Sequence, residues 1–131
     1  MKNGKYIENG HEYWYLNEEL HRTDGPAITY SDGTQKWYLN GELHRTDGPA
    51  VTYSNGTQEW YLNGERHRTD GPAITYPNGS QAWYLKGEKV KKKTFNFILT
   101  CTMEELIPYI FNQKYKDYKP LVEDRLRRNK E

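Results

Sequence analysis

Cysteine is nearly missing from this chain. Cys101 stands alone, so an internal disulfide is impossible and a reducing compartment is the expectation. Long hydrophobic runs are missing as well. The greasiest stretch, "FNFILTC", falls far short of the roughly 18 apolar residues a membrane span needs. The opening "MKNGKYIENG" has no apolar core of the kind a secretory signal carries, and these absences together predict a cytoplasmic protein. Aliphatic side chains are scarce: apolar residues make up only 34% of the chain, yet 15% are aromatic. The 12 Tyr and 4 Trp therefore supply most of the buriable surface, which favours a thin β architecture over a thick aliphatic core.

A charge of one sign is missing only locally. Residues 1–85 hold 7 Lys/Arg against 11 Asp/Glu, and residues 86–131 hold 12 against 7, giving −4 and +5 around a net +1. The split predicts two parts of different structure: an array at 1–90 and a basic segment at 91–131 with one or two helices.

The array is periodic. Trp14, Trp37, Trp60 and Trp83 are 23 residues apart, and "HRTDGPA" begins at His21, His44 and His67. Repeats of about 14–36, 37–59 and 60–82, with partial units at both ends, predict stacked supersecondary elements. Within a unit, "AVTY" and "QEWYL" flank "SNGT", a hairpin signature. A two-residue turn at Asn55-Gly56 would set Tyr53 opposite Gln58, Thr52 opposite Glu59 and Val51 opposite Trp60. Val51, Tyr53, Trp60 and Leu62 would then share a buried face, and Thr52, Glu59, Tyr61 and Asn63 a wet one. Asn63-Gly64 would make a second turn that places His67 across from Trp60. In the first copy Asn17-Glu18 replaces Asn-Gly, so that turn is less secure. Pro77 heads a loop, where it costs no ladder bond. The fold class predicted is mainly β, an open antiparallel meander of 23-residue hairpin repeats with a small C-terminal helical cap.

The repeated string admits two readings. His, Asp and Arg could form a site with a base, its orienting carboxylate and an anion grip. The better-supported reading is turn chemistry at His21, Asp24, His44, Asp47, His67 and Asp70. Asp caps its own backbone, Gly takes positive φ and Pro fixes φ before the next strand. With two strands per unit, equivalent residues lie about 9–10 Å apart, too far for three imidazoles to share a metal with bonds of about 2 Å. No catalytic residue, metal or cofactor is expected, and each His should lie beside its Trp and bond the following turn. Arg22, Arg45 and Arg68 could form a cationic column on the wet face, with Glu59 across from Arg68 but Lys36 across from Arg45. The acidic balance of this half argues against nucleic acid as their partner. Tyr15, Tyr38, Tyr61 and Tyr84 make a second column, readable as a rigid contact platform or as sheet-stabilising cross-strand neighbours.

The unit "WYLNGE-x-HRTDGPA-x-TY-x-x-G" resembles the MORN-type repeats in their "HR-x-DGPA" variant, over about residues 5–90. It departs from the standard unit, whose shorter "HG-x-G" stretch is replaced. The resemblance implies hairpins stacked in an open meander and a scaffold or interaction role rather than an enzyme. The variant is familiar from large DNA viruses, phages and some bacteria, with a related branch labelled antitoxin-like. If the chain is viral, the compartment is the host cytoplasm.

Beyond the repeats, "TFNFIL" reads as a final strand or an extended connector. Thr102 and Glu105 form a capping-box signature. Pro108 should kink or shorten that helix, whose apolar stripe would be Leu106, Tyr109 and Ile110. Pro120 suits a first helical position, followed by Leu121, Val122 and Leu126, with Arg125, Arg127, Arg128 and Lys130 near the end. The helices would close the last sheet edge. Lys89, Lys91, Lys92 and Lys93 form a candidate basic patch for phosphate or acidic lipid, or a solvated surface. A hydrolase or transferase using His and Asp ranks last, for want of an oxyanion donor loop, a phosphate loop or a metal triad; two functions of other classes rank above it. One is a non-enzymatic scaffold that binds another protein, a host defence factor if the chain is a viral or phage product. The other is an oligomeric sponge for a small anionic, nucleotide-like ligand, with oligomers forming through the sheet or the C-terminal helices.

Overall fold

The computed structural model describes residues 1–109 and 113–128. Two compact units divide at Lys89 and Val90. The first begins with β1 (Gly4–Glu8), β2 (His11–Leu16), β3 (Glu19–Leu20), β4 (Ile28–Thr29) and β5 (Gln35–Lys36). Short pairs follow: β6 (Tyr38–Leu39), β7 (Glu42–Leu43), β8 (Val51–Thr52), β9 (Gln58–Glu59), β10 (Tyr61–Leu62) and β11 (Glu65–Arg66). The last strands are β12 (Ile74–Thr75), β13 (Gln81–Leu85) and β14 (Glu88–Val90). The main sheet runs in the order β1-β2-β4-β5-β8-β9-β12-β13-β14, with β3 on β2, while β6-β7 and β10-β11 stand as separate two-stranded ribbons. The protein is thus mainly β, with an open antiparallel sheet and helices at its C-terminal end.

Each repeat bends twice, in two different ways. At Asn40-Gly41 and Asn63-Gly64 both residues take positive φ (50° and 80° in each pair), which makes a two-residue hairpin turn whose twist matches the strands it joins. At the other bend only the glycine does, as at Gly56 (φ 95°). There Gly56 N–H donates to Tyr53 O and Tyr53 N–H to Thr57 O, so the loop holds three residues, Ser54 to Gly56.

This longer loop corrects the register expected from sequence. Val51 pairs with Glu59 and Thr52 with Gln58, one residue away from the two-residue alternative. The cause is the Asn55 side chain, whose Oδ1 accepts the Thr57 N–H at 2.9 Å; Asp32 and Asn78 do the same for Thr34 and Ser80. An Asx side chain that caps the residue after glycine favours the three-residue form. A one-residue slip exchanges the faces. Glu59 is buried with Val51, whereas Tyr53 is exposed and Trp60 and Leu62 are half-buried. The core is correspondingly thin. Ala27, Ala50 and Ala73 are fully buried, beside Ile28, Val51 and Ile74 and the hydroxyls of Thr34 and Thr57. Each alanine carbonyl accepts the N–H of a tryptophan, as Trp37 N–H to Ala50 O at 2.7 Å.

The Asn17-Glu18 turn, which lacks glycine, still forms, with φ of 51° and 71°. The N-terminal residues supply what a preceding repeat supplies elsewhere. Asn3 Oδ1 accepts the Asn17 N–H, Lys2 O accepts the Glu18 N–H, and the Glu18 carboxylate takes the Lys2 N–H.

In the second unit, "TFNFIL" is neither strand nor connector. It lies in α1 (Lys92–Thr100), which buries Phe95 and Ile98, three residues apart on one side of a helix. The Arg125 side chain donates to Ile98 O at 3.0 Å and also to Cys101 O, satisfying carbonyls that a helix end leaves open. In α2 (Met103–Leu106) the Thr102 hydroxyl accepts the Glu105 N–H, and the helix gives way to a 3₁₀ turn at Ile107–Tyr109 that contains Pro108. Pro120 does not start a helix; it lies inside α3 (Gln113–Arg128). The lost ladder bond costs about 3 kcal/mol, and burial of Tyr118 and Val122 on either side offsets it. Ile110, Lys130 and the side chain of Tyr109 lie outside the described residues. Among the described residues, no helix is long and apolar enough to cross a membrane.

Candidate functional site

The residues of "HRTDGPA" hold one another and the next repeat. His67 N–H donates to Trp60 O at 3.0 Å, which closes the second turn with the histidine across from its tryptophan. The imidazole Nδ1 then accepts a backbone N–H nineteen residues ahead: His21 from Asn40, His44 from Asn63 and His67 from Lys86, at 2.9–3.0 Å. The bond reaches the turn of the following unit and not the aspartate of its own. His11 bonds at the other bend: its Nδ1 accepts the N–H of Ser31, twenty residues on, as the Thr34 hydroxyl accepts that of Ser54. Two further backbone bonds cross each boundary, such as Gly64 N–H to Leu43 O and Arg45 N–H to Tyr61 O. Burial, reinforced by the nearby Lys86 charge, holds the His67 imidazole below its ordinary range.

The arginines do not stand as a free cationic column. Arg22, Arg45 and Arg68 each donate Nε–H to the aspartate two residues on, at 2.7–2.9 Å, and Nη1–H to the proline carbonyl four residues on. Each guanidinium lies over the ring of Trp14, Trp37 or Trp60, with Cζ 3.9–4.3 Å from the centroid, well inside cation–π range. The bond from Arg22 holds the Asp24 carboxyl below the usual carboxylate range. This packing also corrects the role expected for the motif glycine. Gly25, Gly48 and Gly71 are not in the positive-φ region; a Cβ there would stand 2.7, 2.8 or 3.0 Å from the arginine Cζ. Glycine is needed because the guanidinium lies against its backbone. Glu59, expected across from Arg68, pairs instead with Arg66 at 2.8 Å.

Between successive motifs lie two clefts of the same lining. The first, about 430 Å³, runs between Arg22–Asp24 and His44–Asp47, with Trp37 and Leu39 in its wall. The second, about 340 Å³, repeats it one unit on, with Trp60 and Leu62. The sequence reading placed Trp60 and Leu62 in the core and so missed their part here. The signal that could have found it is the Asx-Gly-Thr/Ser pattern, which sets the register and turns those side chains outward. The motif threonines Thr46 and Thr69 also line the clefts, although turn chemistry gave them no role. Tyr15, Tyr38, Tyr61 and Tyr84 are half-buried, and burial raises the Tyr61 phenol above its ordinary value. Lys89, Lys91, Lys92 and Lys93 are exposed. Among the described residues, no three His, Cys, Asp or Glu side chains converge as metal ligands would. Comparison of the chain with known protein families, with curated proteins and with solved structures finds no match.

Proposed function

We propose that the chain is a non-enzymatic repeat scaffold of the MORN-variant kind that binds another protein through its row of clefts. One observation carries the reading. The groups that could perform chemistry are already engaged in holding the repeats, while the clefts they frame recur with the same lining on successive units. An imidazole whose Nδ1 accepts a backbone N–H, and an arginine bonded to aspartate and stacked on tryptophan, are anchored parts. Periodic surfaces of this kind suit recognition of an extended partner. If the chain is a viral or phage product, that partner is a host factor.

The small-anion sponge has less support, because its arginines would have to leave both aspartate and tryptophan to grip a ligand. The test is affinity capture by the full chain, followed by reconstitution with the purified captured protein. Thr46→Arg and Thr69→Arg, which fill the clefts, should abolish the reconstituted complex. A complex indifferent to both variants, or no specific capture at all, overturns the reading.

A further inference from the structure

The clefts carry both a spacing and a charge, and together these select a ligand. Two strands separate equivalent positions of adjacent units, so the clefts recur at about 9–10 Å. A polyproline-II segment has three residues per turn and rises about 3.1 Å per residue, a pitch of about 9.3 Å. Every third side chain then points the same way at the spacing of the clefts. A β-strand covers the same distance in three residues, but alternation turns the third side chain to the opposite face. An α-helix at 1.5 Å per residue needs about six residues, which is not a whole number of turns.

Each cleft is lined by two arginines and two aspartates, but the carboxylates are the partners that face solvent. The side chains of Asp24, Asp47 and Asp70 are 82%, 79% and 75% exposed, whereas those of Arg22, Arg45 and Arg68 are only 23–25% exposed. The cations are recessed under their carboxylates. Asp24 and Asp47 both border the first cleft, and Asp47 and Asp70 the second. Between each pair lies a leucine side chain and an indole that carries a motif guanidinium against its ring. A lysine or arginine laid into such a cleft would rest its aliphatic stem on the apolar wall and place its charge between two carboxylates. The surrounding half of the chain, at 7 Lys/Arg against 11 Asp/Glu, draws the same kind of partner.

We infer that the clefts bind a polyproline-II segment bearing a basic residue at every third position, its basic side chains entering successive clefts. This rests on the scaffold reading and names the partner's recognised segment.

Fluorescence anisotropy with the full chain and synthetic peptides tests it. A four-unit Lys-Pro-Pro peptide is compared with a four-unit Lys-Pro-Pro-Pro peptide, which carries the same charge at the wrong spacing, and with a four-unit Gln-Pro-Pro peptide. The matched peptide should bind about tenfold more tightly than either, since only it brings a charge into two clefts at once. Asp47→Asn keeps an oxygen for Arg45 and removes the charge both clefts share, so it should weaken the matched peptide about fivefold. The Asp24→Asn, Asp70→Asn pair, which leaves Asp47 intact, should do the same. Equal binding of the two lysine spacings overturns the register while leaving protein binding by the scaffold intact. Binding indifferent to both aspartate variants, or a preference for polyphosphate over all peptides, overturns the proposal entirely. If no peptide binds but a captured protein is still lost on Thr46→Arg, the scaffold reading survives and this one does not.

Discussion

His44 Nδ1 accepts the backbone N–H of Asn63 at 3.0 Å, across a repeat boundary and nineteen residues of chain. The imidazole therefore reads the turn of the next unit, and the 23-residue period is held by a side chain as well as by the sheet. Replacing it tests this directly. His44→Ala should cost about 1 kcal/mol, the usual net worth of one such bond, in urea denaturation of the full chain. Amide exchange at Asn63 should quicken, while exchange at Asn40, held by His21, stays as it was. Equal quickening at both would mean that the staple is not local.

The third staple should make stability depend on pH. Burial lowers the folded pKa of His67 below its ordinary 6.5, so the unfolded chain takes the proton first as the pH falls. The contribution of His67 is complete above about pH 6.5, declines as the pH drops from there to the folded pKa, and is flat below it. Its Nδ1 accepts the Lys86 N–H, a bond that protonation of that nitrogen removes. His67→Gln should flatten this part of the pH–stability curve. A wild-type midpoint that does not move between pH 7.5 and pH 5 beyond what the variant shows would count against it.

Two glycines of one repeat should fail for different reasons. At Gly48 a Cβ would meet Arg45 Cζ at 2.8 Å, with φ in an ordinary region; at Gly56 there is open space, but φ is 95°. Gly48→Ala should displace the guanidinium from Trp37 and destabilise by about 1–3 kcal/mol, with a change in tryptophan fluorescence. Gly56→Ala should cost about 1–2 kcal/mol through backbone strain alone, with the fluorescence unchanged. Matching fluorescence changes in the two variants would refute the distinction.

The same contrast shows how far the sequence could be read. The period, the hairpins and the His67–Trp60 pairing follow from spacing and from Asn-Gly chemistry, because turns are local. The face of the sheet did not follow. Whether Asn55-Gly56 closes a two-residue or a three-residue loop depends on the Asn55 side chain reaching Thr57, and one residue of register exchanges Trp60 for Glu59 in the interior. The clefts were illegible for that reason. The arginines were misplaced because a guanidinium that turns back onto its own motif leaves no periodic trace different from one that points to solvent. In the second unit, Phe95 and Ile98 suit a strand as well as a helix in so short an apolar run, and Arg125, which bonds a carbonyl of the helix's last turn, lies far along the chain.

Glu59 offers a test of the corrected register. It is 5% exposed, bonded to Arg66 at 2.8 Å and to the Tyr61 hydroxyl at 3.3 Å. Burial, with Glu59 adding to it, pushes the Tyr53 phenol up to about 12. Glu59→Ala should destabilise by about 1–3 kcal/mol, since it strips the carboxylate from a half-exposed arginine and two phenols. The repeats themselves suggest the repair: the equivalent positions carry Ala82 and Leu43. Adding Arg66→Leu to Glu59→Ala should recover most of the loss, as expected when a pair is replaced whole. Additive losses in that double variant would mean that Glu59 and Arg66 act separately.

Arg125 and Cys101 give a prediction whose two explanations diverge. The guanidinium donates to the carbonyls of Ile98 and Cys101 and so ties α3 to the end of α1. The Cys101 thiol is 1% exposed, and burial pushes it above its ordinary value, against a downward pull from Arg125. In the native chain alkylation at pH 8 should therefore be slow, because the thiolate is scarce and sheltered. If Arg125 acted on the thiol only through its charge, Arg125→Met would leave even less thiolate and slow the reaction further. If the tie is what keeps the helices closed, the variant opens the segment locally and alkylation speeds up. The two bonds to main-chain carbonyls favour the second, and the expected result is a rate increase of about tenfold, the equivalent of about 1.4 kcal/mol in the local opening equilibrium. A decrease in rate would assign Arg125 an electrostatic role and remove it from the contacts that hold the helical unit together.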